Sequence, residues 1–223
     1  VDLFAIGNAL IDQEFKVSNE FLTQQALQKG TMQLTDGETQ AALYQQLQDT
    51  QNYKGQASGG SAANTTVAFS ALGGTAFYGC RVGNDDLGSI YLNGLNEAGI
   101  KTAAQSISEG VTGTCMVLIS PDSERTMHTY LGITAELTAE QIDFEPLKAA
   151  KWLYIEGYLS TSDTARVAVK QARELGMTMP IVGGDGWDSP KLSEIAGAGP
   201  LNNTYFTNHY SPDADSAESK AFV

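Results

Sequence analysis

The 223-residue sequence predicts an α/β fold: a three-layer, Rossmann-like, mostly parallel sheet with helices on both faces. Two observations predict it. Strand-like apolar runs at 3–6, 76–80, 115–120, 152–155, 180–183 and 204–207 alternate with helix-like segments. Several of those segments also open on a capping residue and close on glycine.

The first strand-like run, Leu3-Phe4-Ala5-Ile6, ends in the Gly7-Asn8 turn, which sets Asp12 at the carboxyl edge of the sheet, where open α/β folds bind ligands. Thr35 and Glu38 form a capping-box pattern ahead of Ala41–Leu47. A polar loop then leads to Gly59-Gly60-Ser61-Ala62-Ala63-Asn64 and an apolar helix-like run, 65–72, closed by Gly73-Gly74. Asp85 and Asp86 open a segment in which Leu87, Ile90, Tyr91, Leu95 and Ala98 fall at helical spacing before Gly99. Thr138 with Gln141 caps a short helix, and Ser162 precedes a helical run, 165–172, that stops at Gly176. Farther on, Ser189 caps a helix with Pro190 at its first position. Two stretches, 29–34 and 102–131, read as strands joined by tight turns such as Ser120-Pro121-Asp122-Ser123, a pattern that by itself describes a β-meander on the domain edge.

Thirteen basic against 26 acidic side chains give a net charge of −13. Such a surface repels nucleic acid and anionic membranes, so neither is an expected partner. Cys80 and Cys115 are too few and too far apart for a disulfide framework or a zinc site and read as buried free thiols. His128 and His209 lack paired ligand spacing, so no metal is expected. No apolar run reaches membrane-spanning length and no signal peptide opens the chain, which together with the thiols gives a cytoplasmic expectation.

The chemistry-bearing residues cluster around the glycine pair. Paired glycines at a helix start allow close backbone approach and leave N–H groups unsatisfied, and Asn64 adds an amide one turn on. Asp12 and Asn8 have turn roles as alternatives to ligand contact. Arg125, in Glu124-Arg125-Thr126-Met127, either faces an anion or pairs with Glu124 or Asp122 on the surface. Glu156 ends a buried strand beside Gly157, a setting in which a site role is plausible for a carboxylate.

In their order and spacing, Gly7–Asp12, Gly59–Asn64, Gly79–Gly88, Glu124–Met127 and Trp152–Leu159 resemble the PfkB-type carbohydrate kinases, the ribokinase and adenosine kinase family, over about 1–178. The resemblance implies a small β-sheet lid, with strands in about 15–35 and 102–131, over a sugar site. It gives Asp12 the task of holding two sugar hydroxyls, makes Gly60 and Asn64 sugar contacts, and places Arg125 and Glu156 near the site. The partner it implies is a small sugar or nucleoside, and a homodimer through the lid strands is compatible with it.

Family kinases end on a Gly-Ala-Gly-Asp motif that supplies the base and anion-binding amides. The nearest stretch here, Gly197-Ala198-Gly199-Pro200, puts proline where the base belongs. Residues 179–223, with Gly183-Gly184-Asp185-Gly186-Trp187-Asp188-Ser189-Pro190 at their centre, instead resemble type I periplasmic binding proteins of the branched-chain amino acid group. In that family the position of Asp185 lies at the ligand cleft. Asp185 and Trp187 therefore form a candidate tail pocket, with turn chemistry as the alternative. The sequence thus reads as an engineered or chimeric α/β scaffold, catalytically incomplete, in which a βαβ-like tail completes the sheet of a kinase-derived portion. It would retain weak sugar or nucleoside binding and need no cofactor. The alternatives are an active PfkB-type kinase using ATP and magnesium, and an amino-acid-binding module built on Asp185.

Overall fold

A computed structural model describes residues 1–48, 52–103, 106–138, 141–156, 172–174, 176–184, 199 and 201–207. Asp185 and Trp187, the proposed tail pocket, lie outside the described residues, as does His209.

Six parallel strands form the main sheet: β1 (Leu3–Ile6), β5 (Ala76–Gly79), β7 (Lys101–Thr102), β11 (Trp152–Ile155), β12 (Ile181–Gly183) and β13 (Thr204–Phe206). Their spatial order is β13-β12-β11-β1-β5-β7. Strand β1 lies inside the sheet and all four of its side chains are buried. Phe4 and Ile6 enter one apolar layer with Phe77, Leu137, Leu147, Leu153 and Ile181. Leu3 and Ala5 enter the opposite layer with Ala62, Ala63, Tyr78, Tyr91 and Leu95. A strand buried on both faces must read as a continuous apolar run, and Leu3–Ile6 does. Helices α3 (Ser61–Ala71) and α4 (Asp86–Glu97) cover the second face, while α5 (Phe144–Lys148) lies on the first. The three-layer α/β architecture is therefore as the alternation predicts.

A second sheet stands over the carboxyl edge of the first. Its strands are β2 (Leu10–Lys16), β3 (Met32–Leu34), β4 (Tyr53–Gly59), β9 (Gly113–Ile119) and β10 (Arg125–Tyr130), in the order β3-β10-β9-β2-β4. The lid thus begins at Leu10 rather than about residue 15, and 102–112 lies outside it. Strand β4 falls in the stretch read as a polar loop. Its sequence, Tyr-Lys-Gly-Gln-Ala-Ser-Gly, has an edge position and buries little, so no apolar pattern marks it. The turn at 120–123 joins β9 to β10, with Ser123 N–H donating to Ser120 O at 2.9 Å and Ser123 at φ +67°.

The lid has its own apolar layer. Phe15, Val17, Met116 and Leu118 on its outer face pack with Leu22 of α1 (Asn19–Gln24) and Leu43 and Leu47 of α2 (Gly37–Gln48). Gln40 ties α2 down by donating to the Thr114 and His128 carbonyls at 3.0 and 3.1 Å. Helix α2 is capped by Asp36, whose carboxylate accepts from Thr39 N–H and Oγ1 at 2.8 Å each, not by Thr35. Among the described residues no helix is long and apolar enough to cross a membrane.

Asp85 joins lid to body. It caps α4 through Gly88 N–H at 2.7 Å and accepts from Thr112 N and Oγ1 at 2.8 and 2.6 Å, immediately before β9 begins. Burial alone would raise its pKa, but the Thr112 and Gly88 hydrogen bonds outweigh that and hold it below 3.8. Its stabilising contribution is therefore present above the unfolded value and is lost as pH falls through the lowered folded one. Asp85→Ala is expected to cost about 2–3 kcal/mol in urea unfolding at neutral pH. The cost should shrink below about pH 4; a cost that does not change with pH would contradict this account.

Candidate functional site

A cavity of about 300 Å³ opens between the lid and the carboxyl edge of the main sheet, lined by Asn8, Leu10, Asp12, Met32, Leu34, Gly60, Ser61, Asn64, Cys115, Arg125, Met127, Thr129, Leu131 and Glu156. Six residues expected from the sequence, Asn8, Asp12, Gly60, Asn64, Arg125 and Glu156, thus face one space. Asp12 reaches it from lid strand β2 rather than from the edge of the main sheet. Arg125, Met127 and Thr129 reach it because alternate residues of β10 share a face.

Two glycines shape the floor. A Cβ on Gly59 would overlap the Asp12 carboxylate, and a Cβ on Gly60 would come within 2.6 Å of the Asn8 carbonyl. Gly60 also sits at φ +99°, in the left-handed region, as the chain turns from β4 into α3. The close approach that requires glycine is therefore that of the chain to itself, at the crossing that carries Asp12 and Asn8.

Glu156 is 2% exposed and fully engaged. One oxygen accepts from Asn8 N at 2.8 Å and Asn8 Nδ2 at 2.7 Å, and the other from Ser61 Oγ at 2.7 Å and Ala62 N at 3.3 Å. It fastens the end of β11 to the β1–β2 turn and to the start of α3. The Ala62 amide, one of the N–H groups at the helix start, is thereby occupied by protein. The side chains of Asn8 and Glu156 shape the wall by holding each other.

Asp12 is the opposite case. No described residue donates a hydrogen bond to its carboxylate. Burial pushes its pKa up to about 6, against the pull of the Arg125 guanidinium and with a further push from Glu14. Asn64 stands exposed on the first turns of α3 beside it, and Arg125 is exposed at the lip. Of the alternative surface pairings of Arg125, with Glu124 or Asp122, neither is among the ion pairs of the described residues; Asp122 takes Lys29 at 2.6 Å. A half-buried carboxylate with no donor among the described residues, facing the same cavity as an amide and a guanidinium, can accept hydrogen bonds from a ligand's hydroxyl groups.

The remaining wall is apolar, and sequence reasoning passed over it. Leu10, Met32, Leu34, Met127 and Leu131 form it, with Leu34 62% exposed. The alternation of 125, 127 and 129 is the signal that points to Met127 and Thr129. Cys115 completes the wall as a neutral thiol. Burial raises its pKa to about 11, and Thr129 Oγ1 donates to its sulfur at 3.3 Å. Cys80 is likewise buried, its pKa pushed up to about 12. His128, on the opposite face of β10, is buried against α2 with its Nδ1 unpartnered, and burial lowers its pKa. No group of three or more His, Cys, Asp or Glu side chains among the described residues could hold a metal ion.

Comparison with known proteins adds the following. Residues 31–209 match the family described as pfkB family carbohydrate kinase. Adenosine kinase of Saccharomyces cerevisiae is 30% identical over 177 residues, covering 76% of this chain and 52% of that protein. Among solved structures, a probable sugar kinase from Rhizobium etli aligns over 82% of this chain and 55% of its own, with a TM-score of 0.74 and 29% identity. Adenosine kinase from Sinorhizobium meliloti aligns over 82% and 56%, with a TM-score of 0.73 and 30% identity. The chain spans about half the length of these relatives. The match continues through 179–209, the stretch whose residues resemble a periplasmic binding protein, so it gives no support for a change of family between Gly176 and Pro180.

The raised Asp12 pKa has a thermodynamic consequence. Between the unfolded value of 3.8 and the folded value of about 6 the folded state binds more protons, so this residue lowers stability as pH rises through that interval. Asp12→Asn should therefore raise the melting temperature at pH 7.5 and leave it nearly unchanged at pH 4. An equal shift at both values would mean that the Asp12 pKa is ordinary.

Proposed function

The chain belongs to the pfkB family of carbohydrate kinases, and from that premise we propose that its cavity holds the sugar of a nucleoside, or a simple sugar, whose hydroxyl accepts a phosphoryl group. The observation that carries this reading is the Asp12 carboxylate, half-buried against Gly59, facing the cavity and without a donor among the described residues. An ionised carboxylate accepts hydrogen bonds and donates none, so two neighbouring sugar hydroxyls complete it in a way that water-excluding apolar neighbours cannot.

Each nearby group then has a task. Asn64 can both donate to and accept from a further hydroxyl. The guanidinium of Arg125, close enough to Asp12 to influence its pKa, supplies positive charge where phosphate oxygens would approach. Met32, Leu34, Met127 and Leu131 offer a dry surface of the kind a flat nucleobase covers. That surface and the adenosine kinases among the relatives favour a nucleoside over a bare sugar. ATP with magnesium is the donor that the family implies. The described residues gather no set of three or more His, Cys, Asp or Glu side chains that would hold the metal by itself.

This reading replaces the incomplete chimeric scaffold as the better-supported one, because the family match crosses the supposed junction. Binding should be measured calorimetrically with adenosine, ribose and 2′,3′-dideoxyadenosine. Adenosine is expected to bind, and the dideoxy analogue to bind far more weakly. Asp12→Ala should cost on the order of a hundredfold in affinity, the worth of two hydrogen bonds to a charged acceptor. Affinity should also fall as pH drops below about 6, where Asp12 takes up a proton. Equal affinities for adenosine and its dideoxy analogue would overturn the reading.

A further inference from the structure

Two tyrosine hydroxyls lie behind the cavity floor, in a layer that is otherwise apolar. Tyr78 on β5 and Tyr91 on α4 are both 0% exposed and pack among Leu3, Ala5, Ala62, Ala63 and Leu95. Phenylalanine would pack equally well there, and a hydroxyl in such surroundings is costly unless hydrogen-bonded. Tyr78 Oη donates to the Asn8 carbonyl at 3.1 Å. Tyr91 Oη lies 3.2 Å from the Gly59 carbonyl and 3.4 Å from that of Asn8. Each hydroxyl carries one proton, so both carbonyls are satisfied when Tyr91 donates to Gly59 and Tyr78 to Asn8.

These two carbonyls belong to the segments that build the candidate site. Asn8 lies in the turn entering β2, four residues before Asp12. Gly59 ends β4, one residue before the turn into the helix carrying Asn64. Gly59 is also the residue whose missing side chain makes room for the Asp12 carboxylate. Glu156 holds the same turn and helix from the cavity side, but none of its hydrogen bonds reaches Gly59.

We infer that Tyr91, seconded by Tyr78, is a positioning residue that holds Gly59 beside Asp12 and so sets the spacing between the Asp12 carboxylate and the Asn64 amide. The inference rests on the sugar-site reading above for its functional consequence, but the placement of Gly59 can be tested separately. Without the Tyr91 hydroxyl, the Gly59 carbonyl has to find water. The strand end would then shift relative to Asp12 and let more solvent reach the half-buried carboxylate.

The test compares Tyr91→Phe and Tyr78→Phe with the parent chain and with Leu147→Ala, a core truncation on the far side of the main sheet that serves as a stability control. Adenosine affinity is measured across pH, and the Asp12 carboxyl is titrated by carbon NMR without ligand. Tyr91→Phe should weaken adenosine binding about tenfold at neutral pH. It should also move the Asp12 midpoint down from about 6 toward an ordinary carboxylate value. Leu147→Ala should lower the melting temperature without moving that midpoint. An Asp12 midpoint that is unmoved in both tyrosine variants would overturn the inference, as would an affinity loss no larger than that of Leu147→Ala. If the parent chain binds neither adenosine nor ribose, the sugar-site reading fails, and the NMR midpoints still decide whether the tyrosines place Gly59. Should Tyr91→Phe not fold, Tyr78→Phe alone decides, because its hydroxyl holds the Asn8 carbonyl that Tyr91 also approaches.

Discussion

The carboxylate of Glu156 joins three segments distant in sequence: the end of β11, the β1–β2 turn and the first residues of α3. A buried carboxylate left with a single donor would be strongly destabilising, and this one accepts from four groups. The floor of the cavity takes its shape from that convergence. The turn it fixes sends the chain up into the lid, and the helix it fixes receives the chain coming back through Gly60. If this contact were absent, the first two crossings between lid and body would be tied together only by the tyrosine hydroxyls behind them.

The same cavity holds a second carboxylate with the reverse character. Glu156 is saturated by protein donors and serves the architecture, whereas Asp12 is desolvated and without a donor among the described residues. Environment, rather than residue type, separates their roles. The glycine pair connects them: Gly60 accommodates the Asn8 turn that Glu156 holds, and Gly59 accommodates Asp12 itself. A motif that looks like a ligand cradle in sequence is, in three dimensions, first a place where two backbone segments cross.

Much of the main sheet was legible because burial on both faces leaves uninterrupted apolar runs, as in Leu3–Ile6 and Ala76–Gly79. Helix α4 was legible because Asp85 caps it and its apolar residues recur at helical spacing. Strand β4 was not, since an edge strand of a thin lid buries little and carries glycine and polar side chains. The cap of α2 was misplaced by one residue because Thr35 and Asp36 are both good caps, and only the geometry selects Asp36. The candidate polar residues could be named from motif resemblance, yet the pairing of Asn8 with Glu156 depends on bringing together residues 148 apart. The tail was legible as an extension of the main sheet, which β12 and β13 form, whereas its likeness to a periplasmic binding protein finds no support in a family match that continues through 209.

The lid's outer layer, Phe15, Val17, Leu22, Leu43, Leu47, Met116 and Leu118, shares no residue with the two layers flanking the main sheet. Where chain passes between lid and body, Gly60 and Gly132 take left-handed backbone angles, and Gly113 packs too tightly for a side chain. Lid and body therefore answer to separate selective pressures. Drift within the outer layer alters the stability of the second sheet, while the side chains presented to the cavity stay the same. The firmness of that sheet and the chemistry of the cavity can thus evolve on different residues of one small sheet.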